Sequence, residues 1–223
     1  MSYKLKSRWL SSAKYPRKSP YAMTPQGIVV HNTAGDASAT EEAAAMVGNS
    51  SAVSFHVVID EEYAVECIPF SRNAFHAGDG AQGYANRNLI GIEIARSAEE
   101  SGDRFRRAEE NAALYIAHVC VQYGWTSAQL HQHNWYSATE CPHRTKEHWS
   151  DFLAKVDENI ATIKASGEDH PAPSVPQVTL IALGKALDVP AENRNGTVYA
   201  PVRALCEALG FDVEWKDGEV MIA

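Results

Sequence analysis

The 223-residue chain has few cysteines, a deficit of basic residues and no long apolar run. Its four cysteines, Cys67, Cys120, Cys141 and Cys206, are widely separated. This spacing excludes the close Cys pairs of a zinc finger or a disulfide framework, so we expect reduced thiols. No apolar run approaches ~18 residues, which excludes a membrane-spanning helix. Lys and Arg number 20 against 28 Asp and Glu, and the net charge of −8 argues against nucleic acid as a partner.

Hydrophobic periodicity is clear over the first three quarters of the chain. Strands are predicted at residues 27–31, 53–59, 63–68 and 89–94, and amphipathic helices at about 40–47, 104–123 and 146–165. The polar and basic residues 1–26 predict an extended arm, and the glycine-rich run 71–87 predicts a functional loop. These patterns predict an α/β fold in which a mixed central β-sheet is flanked by helices.

A Pro-rich polar stretch, residues 168–176, predicts a semi-rigid linker. The predicted domains are therefore 1–167 and a small α+β module, 177–223. Within the module we expect strands in 178–189 and 197–199, a helix over 201–209 and a closing hairpin over 211–222. The module contains no His and one Cys, so we expect no metal site there. We expect it to act as a binding domain or a spacer domain rather than to catalyse.

Metal-ligand chemistry is concentrated in His131-Gln132-His133-Asn134-Trp135, in Cys141 and in a lone His31 that ends the first strand. Two imidazoles and one thiolate suit zinc, and three protein ligands leave the fourth position open, as in catalytic sites. The alternative is that Cys141 is an ordinary buried thiol. Because His131 and His133 point to the same side of an extended segment, the residues alone leave open which of them binds.

Glu93 interrupts the apolar strand Leu89–Ile94. A carboxylate inside a buried strand is costly unless it is paired or functional, and amide hydrolysis needs a group that transfers protons. Glu93 is therefore a candidate general acid–base. The alternative is a strand that faces solvent on that side.

Five ordered segments resemble the type 2 N-acetylmuramoyl-L-alanine amidases, a family that includes peptidoglycan recognition proteins and many phage endolysins. They are Ile28–Thr33, Val53–Asp60, Ala74–Gly78, Asn88–Ile94 and, in the manner of the endolysin branch, Gln132–Asn134 with Cys141–Arg144. The stretch Pro201–Trp215 resembles the small domain named after the N-terminal stalk of copper amine oxidases.

The resemblance implies one Zn²⁺ per chain, held by His31, Cys141 and the histidine eight residues before that cysteine, His133. It also implies a catalytic role for Glu93 and a contribution from Thr139, which stands where many relatives carry Lys but where peptidoglycan recognition proteins carry Thr.

Three further residues are expected to contact substrate by the same resemblance: His76, Asn32 and Trp135. A structural role in the glycine-rich loop is the alternative for His76, and a core position is the alternative for Trp135. Phe55 occupies the position at which some phage members place a catalytic Tyr.

The implied activity is cleavage of the amide between the lactyl group of N-acetylmuramic acid and L-alanine in bacterial peptidoglycan. The N-terminus lacks the apolar stretch of a signal peptide, which fits either a wall enzyme released by another agent or a cytoplasmic recycling enzyme. Because a soluble substrate needs no appended module, we expect a phage or prophage endolysin that is made in the bacterial host cytoplasm and acts on the wall after release. Peptidoglycan is the expected partner, with no membrane partner, and residues 177–223 are expected to contact a cell-wall polymer or to act as a spacer. The rivals are a non-catalytic peptidoglycan-binding protein and a cytoplasmic muropeptide-recycling amidase.

Overall fold

A computed structural model describes residues 3–100 and 102–166, together with parts of the segment 180–222. The chain divides into two compact units, Met1–Pro173 and Ser174–Ala223. Among the helices of the described residues, none is long and apolar enough to cross a membrane. The predicted linker, 168–176, lies outside the described residues.

The first unit is built on a six-stranded mixed sheet of order β1-β4-β3-β5-β2-β6. Only the β3–β4 pair is antiparallel among these neighbours; the others run parallel. The strands are β1 (Lys4–Ser7), β2 (Gly27–Asn32), β3 (Val57–Ile59), β4 (Tyr63–Glu66), β5 (Leu89–Ile94) and β6 (Leu130–Gln132). The predicted mixed α/β sheet is confirmed.

Helices cover both faces of this sheet, because alternate side chains of the central strands are apolar on each face. Ile28 and Val30 of β2 pack with the apolar sides of α4 (Arg104–Tyr123) and α5 (Trp149–Ser166). On the opposite face α2 (Ala39–Gly48) packs over Val58 and Val65. Two short helices complete the unit, α1 (Tyr15–Lys18) and α3 (Tyr84–Asn88).

Several boundaries differ from the sequence prediction. Residues 53–56 are not a strand, because Ser54 and His56 bond to other parts of the chain, Phe75 and Gly91. The N-terminal arm is not simply extended, since it contains β1 and α1. The last residues of the predicted loop 71–87 form the start of α3. Helix α2 begins at Ala39, because Ser38 caps it through a reciprocal capping box with Glu41.

The second unit contains three antiparallel strand pairs within its described residues. They are β7 (Leu180–Ala182) with β8 (Lys185–Leu187), β9 (Glu192–Arg194) with β10 (Thr197–Tyr199), and β11 (Val213–Lys216) with β12 (Glu219–Ile222). The last pair is the predicted closing hairpin. Gly210, which directly follows the predicted helix 201–209, adopts a φ of 86°, a left-handed conformation common at helix C-termini. Most of the predicted helix itself lies outside the described residues.

Candidate metal centre and active site

Three neighbouring parallel strands end at the same edge of the sheet and deliver the candidate residues there. His31 on β2 and Glu93 on β5 are register partners and face the same side. β6 lies on the other side of β2, and His133 begins the short 3-10 helix that follows it directly. This is the edge at which open parallel sheets usually form their sites.

One nitrogen each of His31 and His133 and the sulfur of Cys141 lie within 4.8 Å of one another. The Cys141 Sγ is 3.8 Å from His31 Nδ1, and the two imidazole centroids are 4.5 Å apart. Tetrahedral zinc places its N and S ligand atoms ~3.5 Å apart, so shifts of about 1 Å would bring the three atoms onto one ion. Two imidazoles and one cysteine sulfur are also the donor types that zinc prefers.

The orientation of His31 is set by a second histidine. His76 Nε2 donates to the carbonyl oxygen of Leu89 at 3.1 Å, and His76 Nδ1 lies 3.0 Å from His31 Nε2. Burial lowers the pKa of His76 to about 3, so its ring is neutral and Nδ1 accepts a hydrogen bond from the N–H of His31 Nε2. His31 is therefore left with a lone pair on Nδ1, the atom that faces Cys141. Hydrogen bonds of this kind orient metal-binding histidines.

His133 and His131 point in different directions, because the strand ends between them at Gln132. Within the described part of the chain, the buried His133 Nδ1 has no hydrogen-bond partner, while its Nε2 is 3.0 Å from Ser137 Oγ. An orphaned buried nitrogen beside a thiol fits a metal ligand. His131 Nδ1 instead lies 2.7 Å from the Tyr136 hydroxyl. The structure thus brings His133, and not His131, into the cluster.

Cys141 is held in place by the end of β2. The Asn32 backbone N–H donates to Cys141 Sγ at 3.3 Å, and the Asn32 side chain bonds to Thr145 Oγ1 and to the amides of Arg144 and Thr145. Burial raises the pKa of the Cys141 thiol to about 12, and the neighbouring Glu93 charge acts in the same direction. The polar atoms of Asn32 are thus bonded to the segment that carries the cysteine.

Glu93 faces a cavity of about 410 Å³, which we call the metal-side cavity, together with His31, His133 and Cys141. The residue as a whole is half-buried and forms part of the cavity wall. Its buried Oε2 has no hydrogen-bond partner among the described residues. Burial, and then the charge of Glu42 on α2, raise the pKa of Glu93 to about 8. A carboxyl with such a pKa can both take and return a proton near neutral pH.

The remaining predicted residues lie around this cluster. Both ring nitrogens of His76 are hydrogen-bonded to the protein, which leaves only ring carbons for a substrate. Thr139 Oγ1 accepts from the Cys141 amide at 3.4 Å. Trp135 is 55 % exposed, so the core alternative is wrong for it; its ring makes edge contacts with His131 and Trp149. Neither Thr139 nor Trp135 is among the described residues that line the metal-side cavity.

Some residues of the site were missed at the sequence level. Glu42 and Val53 line the metal-side cavity, but the sequence placed them only in a predicted helix and a predicted strand. Gly91 lies under the His76 ring: a Cβ there would be 2.5 Å from His76 Cγ. A lone glycine inside an apolar strand is a signal of such a close approach.

Among the described residues, two imidazoles and a thiol converge beside a carboxyl oxygen that has no hydrogen-bond partner, at the edge of an α/β sheet, and this group could hold a metal ion. Residues 21–144 match the family model described as N-acetylmuramoyl-L-alanine amidase, and the chain belongs to this family. Residues 154–223 match the model described as copper amine oxidase N-terminal domain.

Similar proteins agree with this assignment. N-acetylmuramoyl-L-alanine amidase XlyB of Bacillus subtilis (strain 168) is 37 % identical over 162 residues, which are 72 % of this chain and 51 % of XlyB. The structure of PlyL is 36 % identical with a TM-score of 0.65, covering 69 % of this chain and 97 % of PlyL. A mutant endolysin from Bacillus subtilis is 30 % identical with a TM-score of 0.63, covering 69 % of this chain and 99 % of the endolysin chain. The chain spans about half the length of the curated relatives it matches.

Proposed function

We propose that this chain is a zinc-dependent N-acetylmuramoyl-L-alanine amidase that hydrolyses the bond between the lactyl group of N-acetylmuramic acid and L-alanine of the stem peptide. The carrying observation is the convergence of His31, His133 and Cys141 beside Glu93 in one cavity. Family membership and the names of the relatives support the reaction and the peptidoglycan substrate.

The metal would be held by His31 Nδ1, His133 Nδ1 and Cys141 Sγ, one ion per chain. When bound, zinc supplies Lewis acidity toward the amide carbonyl and toward the attacking water. Glu93 takes the proton of that water at its carboxylate and returns it to the leaving nitrogen of alanine. His76 keeps His31 in the correct tautomer, and Asn32 keeps Cys141 against the end of β2.

We propose further that the protein acts as a cell-wall lytic enzyme of the phage or prophage endolysin kind. Support comes from its likeness to a solved mutant endolysin from Bacillus subtilis that carries the same fold. Residues 177–223 would then contact a wall polymer or separate the catalytic unit from it. Within that module Phe211 is an exposed aromatic side chain that a polymer could contact.

The decisive experiment is mass spectrometry of purified bacterial cell walls after digestion by the zinc-loaded protein. The expected products are stem peptides with a free alanine amino terminus and intact glycan strands. The matched control is Glu93→Gln, which should release neither. Wall binding without release of any product would indicate a binding protein instead. Cleavage restricted to small soluble muropeptides would favour a recycling amidase.

A further inference from the structure

Two cavities of the first unit meet at the candidate metal centre. The second has a volume of about 560 Å³ and is bordered by the glycine-rich loop, so we call it the glycine-loop cavity. His76, His133 and Val53 line both this cavity and the metal-side cavity. Val53 is 64 % exposed, which is unusual for a large aliphatic side chain, and it forms the outer wall where the cavities join.

Val53 lies in residues 49–56, which form neither helix nor strand. The internal hydrogen bonds of the segment are local: the Ser51 amide donates to Asn49 Oδ1, and the Val53 amide donates to Ser51 Oγ. Backbone bonds to the rest of the fold resume at Ser54 and His56. Residues 50–53 therefore depend on side chains from elsewhere to keep one conformation.

Those side chains come from the N-terminal segment around α1. Lys18 Nζ donates to Asn49 Oδ1 at 3.0 Å and to the Val53 carbonyl oxygen at 2.9 Å, so one ammonium bridges both ends of the loop. Lys14 Nζ donates to the carbonyl oxygens of Gly48 and Asn49, and Arg17 Nε donates to that of Ser50.

Burial of the Lys18 ammonium costs free energy. Its side chain is 1 % exposed, and the two acceptors named above are neutral oxygens. Burying a cation without a carboxylate partner costs free energy, and the nearby Lys14 and Arg17 charges add to that cost. Burial and these charges lower the pKa of Lys18. An apolar side chain would fill the same space at lower cost, but it could not bridge Asn49 and Val53.

We propose that Lys18 is a positioning residue for the substrate cleft. By joining Asn49 to the Val53 carbonyl, it holds the Val53 side chain at the boundary of the two cavities and thereby sets the affinity for a peptidoglycan segment that spans them. The proposal rests on the proposed function, because it assumes that the bond to be cleaved lies at this junction.

The test compares Lys18→Met with Lys4→Met in the full zinc-loaded chain. Lys4 is the matched control, since its exposed ammonium pairs with Glu62 on the sheet edge. Kinetics are measured on muramidase-solubilised peptidoglycan fragments, and hydrogen exchange is measured at the Ser51 and Val53 amides. We expect Lys18→Met to raise KM about tenfold, the effect of losing one or two charge-assisted hydrogen bonds. The kcat should stay within about twofold and zinc content should be unchanged, because Lys18 does not contact the metal cluster. Exchange at both amides should become faster, and Lys4→Met should resemble wild type.

Unchanged exchange in Lys18→Met would show that Lys18 does not hold the loop. Faster exchange with an unchanged KM would show that the loop does not set the affinity for the substrate. A parallel loss of zinc and kcat would show a merely structural role. If Lys18→Met fails to fold, Val53→Ala tests the same wall with the anchor intact: a raised KM at constant kcat supports the proposal, and an unchanged KM overturns it. A wild-type protein that releases no alanine amino terminus would refute the proposed function alone. The dissociation constant for the same fragments would then replace KM.

Discussion

Substitution of Gly91 by alanine should weaken zinc binding although Gly91 is not a ligand. A Cβ at Gly91 would lie 2.5 Å from His76 Cγ, 2.7 Å from Cδ2 and 2.9 Å from Nδ1. Ordinary carbon–carbon contacts lie at ~3.5–4.0 Å, so the His76 ring must retreat by about 1 Å.

A shift of that size would break the 3.0 Å hydrogen bond between His76 Nδ1 and His31 Nε2. His31 would then be left with a buried N–H and no fixed tautomer. An unsatisfied buried donor costs about 1–3 kcal/mol of folding stability, and loss of a partner that orients a ligand lowers metal affinity by about 10–100-fold.

Zinc affinity is measured by competition with a chelator, and stability by thermal unfolding of the metal-free protein. Gly48→Ala is the matched control, because a Cβ there meets nothing within 4 Å. The double variant Gly91→Ala/His76→Ala separates the clash from other effects: on the His76→Ala background the second methyl should cost little. A folded Gly91→Ala protein with wild-type zinc affinity would refute the reasoning.

Four further predictions address the site and the domains. Cys141→Ser and His133→Ala should each lose most of the bound zinc in metal analysis, while His131→Ala should keep it, because His131 is bonded to Tyr136. Glu93→Gln should retain zinc and fold but lower turnover on muropeptides by about 10² or more; near-normal turnover would remove Glu93 from catalysis. In metal-free protein the pKa of Glu93 is about 4.5 in the unfolded chain and about 8 in the folded chain, so the folded state binds the proton more tightly. The free energy of unfolding should therefore fall as pH rises from 4.5 to 8, by at most about 5 kcal/mol. Unfolding experiments on Glu93→Gln should show a smaller fall. Residues 1–167 alone should fold, bind zinc and cleave small muropeptides. The module 177–223 has 4 Lys and Arg against 7 Asp and Glu, so its binding to the wall should change little with added salt.

Much of the fold follows from local patterns. The apolar run before His31, the apolar strand that carries Glu93 and the amphipathic pattern over residues 104–123 each predicted an element that the structure contains. Helix α4 ends at the predicted residue, because Gly124 directly after it adopts a left-handed φ of 69°. Such elements are predictable because burial of one face imposes a period on the sequence itself.

The cluster of ligand types was also visible in the sequence, but the ligand atoms were not. Residue spacing left His131 and His133 equivalent. The structure separates them, because β6 ends at Gln132 and the next turn directs His133 toward His31. The end of a strand depends on where its neighbour stops pairing, which is a long-range property.

What the sequence by itself determined is the set of elements and the chemistry of their side chains: an α/β unit with two imidazoles, a thiol and a buried carboxyl at strand ends. Only the tertiary structure decided the partners: His76 against His31 and Gly91, Asn32 against Cys141, and Lys18 across the loop that carries Val53. Each of these contacts joins residues more than ten positions apart, so no local period encodes it. They form because a buried polar group must find a partner in whatever segments the folded sheet brings beside it.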